Sequence, residues 1–345
     1  MKINAMHNNY SVDYLAWRGL ARALSGVRGA EKNVFERLGV DRSNVEAEGV
    51  RSPLRLYVRF FDEAASVLQD PAFGFKLGYT TRPRSAGIPG YLVLSAPDLQ
   101  TGLAEFCQHF SLLVEGVSLG FIRTPQTCAL TWEMIDPQLK RHARFADHVT
   151  VFFTNMVRGV MGRSWRPSRV DLSHVTGAPH SVVSRVLCRN VRFGQSENFI
   201  HIPPEALQRH SYKRDLALFE LMRTMAKERQ AQRQEKPDLE EQIRTILKLA
   251  PMEHYKNPAL ISDSLGLTPS ALQRLLRGMG STMRSITDDV RFEKAQNLLR
   301  ATDQSVADIA ERLGYSEPAA FIRAFKKRFD STPRLYRQLA RQSGS

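Results

Sequence analysis

Cysteine is scarce in this chain of 345 residues: Cys107, Cys128 and Cys188 are the full set. An odd number at wide spacing argues against a disulfide framework and fits a reducing cytosol. None lies beyond residue 188, which excludes a zinc knuckle or a cysteine nucleophile from the rest of the chain. Long apolar runs are missing too. Nothing approaches the roughly 18 residues a membrane span needs, and the opening MKINAMHNNYSVDYLAWRG lacks the continuous apolar stretch of a signal peptide. No GxGxxG, GxxxxGKS/T or HExxH occurs, and Gly74, Gly78, Gly87 and Gly90 do not form a phosphate loop. His174, His180, His201 and His210 lack metal-ligand spacing and read as solvated or hydrogen-bonded side chains, so neither metal nor cofactor is expected.

What is present in excess is positive charge. The formal net charge is +14, which favours a polyanionic partner. Residues 238–345 hold 17 Lys/Arg against 13 Asp/Glu, a balance of +4, so +10 falls on residues 1–237. Bulk charge therefore does not single out one segment, and the argument passes to local clustering. The length predicts two domains.

The densest cluster closes SVADIAERLGYSEPAAFIRAFKKRFDSTPRLYR, residues 305–337. Ser305 is a good N-cap with Asp308 three residues on, an acidic variant of the capping box. Val306, Ile309, Ala310 and Leu313 recur at helical spacing, and Gly314 suits the left-handed residue that stops a helix. Ser316 is positioned to cap the next helix, with Glu317 and Pro318 in its first turn. On that helix Phe321, Ala324 and Phe325 share one face, while Ala319, Ile322, Arg323 and Lys326 share the other. Residues 321–341 carry seven Lys/Arg, Lys327 among them, against the single acid Asp330, the electrostatic footprint of a phosphate backbone. The alternative is a solvated basic helix that packs on a partner.

NPALISDSLGLTPSALQRLLRGMG, residues 257–280, repeats the design. Asn257 caps, Gly266 closes, and Thr268 with Pro269 caps and opens again. Ser270, Gln273, Arg274 and Arg277 share one face of its second helix; Leu272, Leu275, Leu276 and Met279 share the opposite one. A duplicated helix–turn–helix arises by chance far less easily than a single match. Between the copies, residues 286–301 read as one helix, about 24 Å long at 1.5 Å per residue. Such a spacer suits two helices held about one DNA turn, roughly 34 Å, apart.

Through LGLTPSALQRLLR, VRFEKAQNLLR and IAERLGYSEPAAFIRAFKKRFDSTPRLYR, the stretch from about Asp238 to Arg341 resembles the DNA-binding domain of the AraC/XylS transcriptional regulators. The resemblance implies a seven-helix domain with two helix–turn–helix units, usually driving promoter activation. Asp330 stands where the family often has glycine after the second recognition helix, and aspartate tolerates that turn. Pro318, Ala319, Ala320 and Ile322 occupy positions that often carry polar base-readers. The second unit is then expected to supply phosphate contacts and thymine-methyl packing, with the first specifying sequence.

The amino-terminal half mixes elements. Residues 11–25, 30–38, 53–69 and about 99–113 read as helices. Residues 116–123 and 127–135 read as a hairpin turning at Pro125. A long helix is expected over about 138–162, then a strand at VDLSHV, a short helix at HSVVSRVLC and a strand through NFIHIP. DPAFGFKLG, GIPGYLVLSAPDLQTGL, WRPSRVDLSH and VRFGQSENFIHIPPEAL give residues 20–210 a resemblance to the arabinose-binding-type effector domain of one branch of these regulators. Arg123 and Trp132, on the hairpin, are the candidate ligand-binding residues, with ordinary strand positions as the alternative. DLALFELMRTMAKERQAQRQEKP, 215–237, reads as a helix packing on this domain or on a second subunit, fading into a linker near Lys227–Pro237.

The expected fold class is an α+β amino-terminal effector domain joined to an all-α DNA-binding domain with two helix-turn-helix motifs. The expected boundaries are residues 1–212 for sensing and dimerisation, 213–237 for a linker helix and linker, and 238–342 for DNA binding. The expected function is a cytoplasmic, sequence-specific regulator, an activator, controlled by a small-molecule effector. Its partners would be double-stranded promoter DNA, RNA polymerase and a second copy of itself. One alternative makes the amino-terminal half purely a dimerisation or protein-contact domain. Another, a DNA-repair methyltransferase carrying the same carboxy-terminal module, needs a reactive cysteine cluster whose spacing is missing, so no enzymatic activity is expected.

Overall fold

The computed structural model describes residues 10–18, 20–123, 128–140, 142–211, 214–232, 239–250, 255, 258–265 and 267–342. Pro125, Asn257, Gly266, the end of the linker at 233–237 and Asp238 fall outside them. The chain divides into two compact units, Met1–Lys236 and Pro237–Ser345.

The first unit opens with a strand where helical periodicity was expected. β1 (Ser11–Asp13) pairs antiparallel with β2 (Arg51–Pro53), Val12 opposite Ser52. Asp13 ends the strand and caps α1 (Tyr14–Trp17), its Oδ1 accepting from the Leu15 amide at 3.1 Å. α2 (Leu20–Leu24), α3 (Ala30–Leu38) and α4 (Arg42–Val45) follow, then α5 (Leu54–Val67). Trp17, fully buried, packs edge-on against Tyr57 and Phe60 of α5, and its Nε1 donates to Ser52 Oγ at 2.7 Å.

α6 (Phe73–Thr80) lies against α9 (Ala143–Met161), whose buried residues lie on every side, as expected of a central core helix. Two glycines let the backbones touch. A Cβ on Gly74 would sit 2.1 Å from Arg144 O, and one on Gly78 2.9 Å from His148 O. Asn155 of α9 then donates to Gly78 O and Thr81 O, both at 2.8 Å, satisfying carbonyls at the end of α6. α9 begins at Ala143 rather than near residue 138, because Asp136 caps a separate 3-10 turn at Pro137–Leu139.

α7 (Ile88–Ser95) and α8 (Leu99–His109) pack together, and α8 ends in a 3-10 turn, Phe110–Leu112, instead of continuing to residue 113. β3 (Val117–Arg123), β4 (Cys128–Met134), β5 (Arg169–Asp171), β6 (Val191–Arg192) and β7 (Asn198–His201) form one sheet in the order β3-β4-β7-β5-β6. All pairs are antiparallel except β5–β6, where the short helix α10 (His180–Val186) makes the crossover. The unit is α+β. α11 (Leu216–Gln232) packs back on it, burying Phe219 and Ala226 against Ile88, Leu92, Ala96 and Leu112.

The second unit has seven helices among the described residues. α12 (Leu239–Leu249), α13 (Pro258–Ser264) and α14 (Pro269–Gly278) enclose a core of Ile243, Ile246, Leu247, Ile261, Leu265, Leu272 and Leu276. α15 (Met283–Ala301) closes it with Ile286 and Val290, then turns Ala295 and Leu299 toward a second core. That second core takes Ile309, Ala310, Leu313, Phe321 and Phe325 from α16 (Val306–Arg312), α17 (Pro318–Phe329) and their connection, with Tyr336 of α18 (Pro333–Gln342) at its edge. One helix of 19 residues, about 28 Å at 1.5 Å per residue, is thus a wall of both cores.

Candidate functional site

Each helix–turn–helix is set by local capping. Ser305 Oγ accepts from the Asp308 amide at 3.0 Å, and Asp308 Oδ2 accepts from the Ser305 amide at 3.2 Å, closing the reciprocal box at the head of α16. Gly314 then turns with φ 74°, where a side chain is disfavoured. The cap of α17 falls on Glu317 rather than Ser316, without a side-chain hydrogen bond. Asp330 ends that helix in the left-handed region, φ 49° and ψ 25°. In the first unit of the pair, Thr268 Oγ1 accepts from the Ala271 amide at 3.2 Å and Pro269 opens α14.

Capping fixes which faces point outward. On α14 Ser270, Gln273, Arg274 and Arg277 are all exposed, opposite Leu272 and Leu276, each 1 % exposed. Leu275 and Met279 were expected on the buried face, yet both are exposed. Leu275 lies about 60° round the helix from Leu272 at 100° per residue, and Met279 is the C-cap, past the last helical residue. On α17 Ala319, Ile322, Arg323, Lys326 and Lys327 are exposed, opposite Phe321 and Phe325 at 0 %.

Five of the seven basic residues of 321–341 separate into two groups. Arg328 donates to Asp289 at 2.9 Å, and Arg337 donates to Leu299 O at 3.3 Å and to Gln304 O. Those two are occupied inside the unit. Arg323, Lys326 and Lys327 remain outward, with no ion pair among the described residues. Asp289, on α15, also accepts from Arg244 of α12 at 2.8 Å, and Arg244 and Lys248 both reach Glu293. One carboxylate therefore ties α12 and α17 to the same helix.

The first unit contains a cavity of about 600 Å³ bounded by α1, α2, α5, α6, α9 and the turn after α8. Neither Arg123 nor Trp132 lines it. Arg123, at the exposed end of β3, donates to Gln100 Oε1 at 2.6 Å. Trp132 pairs with Leu119 across the hairpin, is 3 % exposed and meets Phe153 of α9 edge-on; it borders a separate cavity of about 220 Å³ beside His174. The structure does not bring the two candidate ligand residues together. His174 bonds to buried Asp147 and His201 to Asp171, each at 2.7 Å. Burial holds the Asp147 carboxyl above the usual carboxylate range, His174 opposing that shift.

Sequence reading passed over His148, 5 % exposed in the wall of the larger cavity, whose Nδ1 has no hydrogen-bond partner. Burial pushes its imidazole down to about 3, so the ring is neutral at physiological pH. One signal was available, the adjacent ionisable pair Asp147–His148 within the otherwise largely apolar stretch FADHVTVFF.

Residues 29–211 match the model described as the arabinose-binding domain of AraC transcription regulator, N-terminal. Residues 261–339 match a helix-turn-helix domain model. An ornithine utilization regulator of Pseudomonas aeruginosa is 23 % identical over 314 residues, 90 % of this chain and 92 % of that protein. A urease operon transcriptional activator of Escherichia coli is 36 % identical over 83 residues, 24 % of this chain and 28 % of that one. Among solved structures, the transcriptional regulator CdpR of Pseudomonas aeruginosa shares 20 % identity over 78 % of this chain and 87 % of its own, with a TM-score of 0.38.

Proposed function

The chain belongs to the AraC family of transcription regulators, with an arabinose-binding-type amino-terminal domain and a helix-turn-helix DNA-binding domain, and from that premise we propose how it works. It is a sequence-specific activator of the cytoplasm. Residues 1–212 sense a small-molecule effector and mediate dimerisation, 213–237 link, and 238–342 bind promoter DNA beside RNA polymerase. Ser270, Gln273, Arg274 and Arg277 read base edges in one major groove. In the next groove, Arg323, Lys326 and Lys327 hold phosphates while Ala319 and Ile322 pack on thymine methyls.

The observation that carries this reading is the division of labour on α17: Arg328 is engaged by Asp289 of α15, as Arg337 of α18 is by backbone carbonyls, while Arg323, Lys326 and Lys327 face outward opposite two fully buried phenylalanines. Genome-wide mapping of occupancy by the full chain tests it. Discrete promoter peaks that contain a shared two-part motif are expected; uniform coverage would refute sequence-specific regulation. A second reading, in which the amino-terminal half serves protein contacts alone, is favoured by Leu216 and Leu221, which α11 leaves 47 % and 55 % exposed. Its mark would be a chain whose dimerisation controls promoter output and which binds no metabolite.

A further inference from the structure

The wall chemistry of the 600 Å³ cavity narrows what can occupy it. It contains no aspartate or glutamate, so an ammonium group entering it would find no counter-charge. Its hydroxyls are already engaged as donors: Thr80 and Thr81 both donate to Leu77 O at 2.9 and 2.8 Å, Ser85 to Arg82 O at 2.6 Å, and Tyr57 to Ala16 O at 3.3 Å. A sugar, which needs many donors and acceptors at once, would leave most of its hydroxyls unmatched. The remaining lining is largely apolar and aromatic.

Two features point to a ligand. Arg18, Arg22 and Arg82 line the cavity and are exposed, which puts guanidinium groups at its rim. Arg22 and Arg82 make no ion pair among the described residues. Inside stands His148, more than nine-tenths buried, with Nδ1 lacking a partner, a group whose desolvation is offset only when something hydrogen-bonds to it. We propose that this cavity is the effector site, and that it takes an apolar carboxylate, medium-chain or aryl, with its head on the rim arginines and one further oxygen on His148. The volume is within the usual range of roughly 300–1,000 Å³ for small-ligand pockets. This inference rests on reading the first domain as an effector sensor. It also places the ligand against Phe110, in the 3-10 turn whose Leu112 supports Phe219 and Ala226 of α11.

The test is calorimetric titration of the full chain with decanoate, 3-phenylpropionate, L-ornithine and L-arabinose, beside promoter output in a reporter strain. Two variants accompany it: Arg22→Gln with Arg82→Gln, and Ala23→Trp, which places a large side chain in the lining. Thermal unfolding checks that each is folded. At least one carboxylate should bind saturably, about tenfold or more weakly in the arginine variant and not at all in Ala23→Trp; which of the two binds tells alkyl from aryl. Saturable binding of ornithine or arabinose, abolished by Ala23→Trp, would overturn the carboxylate class and leave the sensor reading standing. Carboxylate binding of equal strength in all three chains would overturn the cavity assignment. No binding by any probe, with reporter output unchanged by Ala23→Trp, would overturn both.

Discussion

Replacing Lys326 and Lys327 together by alanine tests the proposed interface most directly. Both are exposed on α17, on the side away from Phe321 and Phe325, and neither makes an ion pair among the described residues. Each lysine that neutralises a phosphate on B-DNA contributes about 0.9 to the slope of log K against log salt. Loss of two such contacts should flatten the slope by about 1.8, which at 0.1 M salt relative to 1 M is about 60-fold, or about 2.5 kcal/mol, in affinity. Arg328→Gln is the internal control, because its guanidinium already sits 2.9 Å from Asp289. That variant should keep the parental slope. Fluorescence anisotropy with a labelled promoter duplex, from low to moderate salt, reads all three chains. A parental slope in the double variant, or an equal fall in Arg328→Gln, would refute the assignment of phosphate-facing and internal bases.

Three further outcomes are expected. Arg274→Ala should cost roughly 1–3 kcal/mol at the cognate site and relax preference at one position; competition with single-base variants checks it, and equal loss on random DNA would reduce Arg274 to a phosphate contact. His148 has a folded pKa of about 3, below its unfolded value of about 6.5, so its contribution to stability is intact above pH 6.5 and is lost as pH falls toward 3, by about 2 kcal/mol at pH 5. His148→Phe should remove that part of the pH dependence, measured by chemical denaturation at pH 7.5 and 5. Gly74→Val should destabilise by about 3 kcal/mol, since its Cβ would fall 2.1 Å from a backbone carbonyl of α9; denaturation at neutral pH reads it, and an unchanged midpoint would refute the close backbone approach.

Much of the second unit was legible because its signals are local. The Ser305–Asp308 box, the Thr268 cap and the turn at Gly314 each lie within a few residues of what they control, and the structure repeats them. The first unit's misread elements depend on distant partners. β1 is a strand because Val12 meets Ser52, forty positions away, and three residues carry no periodicity. β6 has two residues and was not expected at all. Arg328 and Arg337 counted toward the basic cluster, and no pattern in the chain reveals that Asp289 and two backbone carbonyls occupy them. The large cavity was illegible for a related reason. Its lining joins residues near 20 to residues near 150, and only the folded chain makes them neighbours.

The carboxylate at Asp289 has a consequence for operator architecture. Arg244 and Arg328 reach it from opposite halves of the unit, and α15 is a wall of both cores, so in the two-groove reading proposed above the angle between the two recognition helices is set within the unit. One base pair inserted between half-sites would swing the second target about 35° and shift it about 3.4 Å, more than such a brace can follow. Operators for this protein should therefore share a single invariant gap, and Asp289→Ala should widen the set of gaps tolerated.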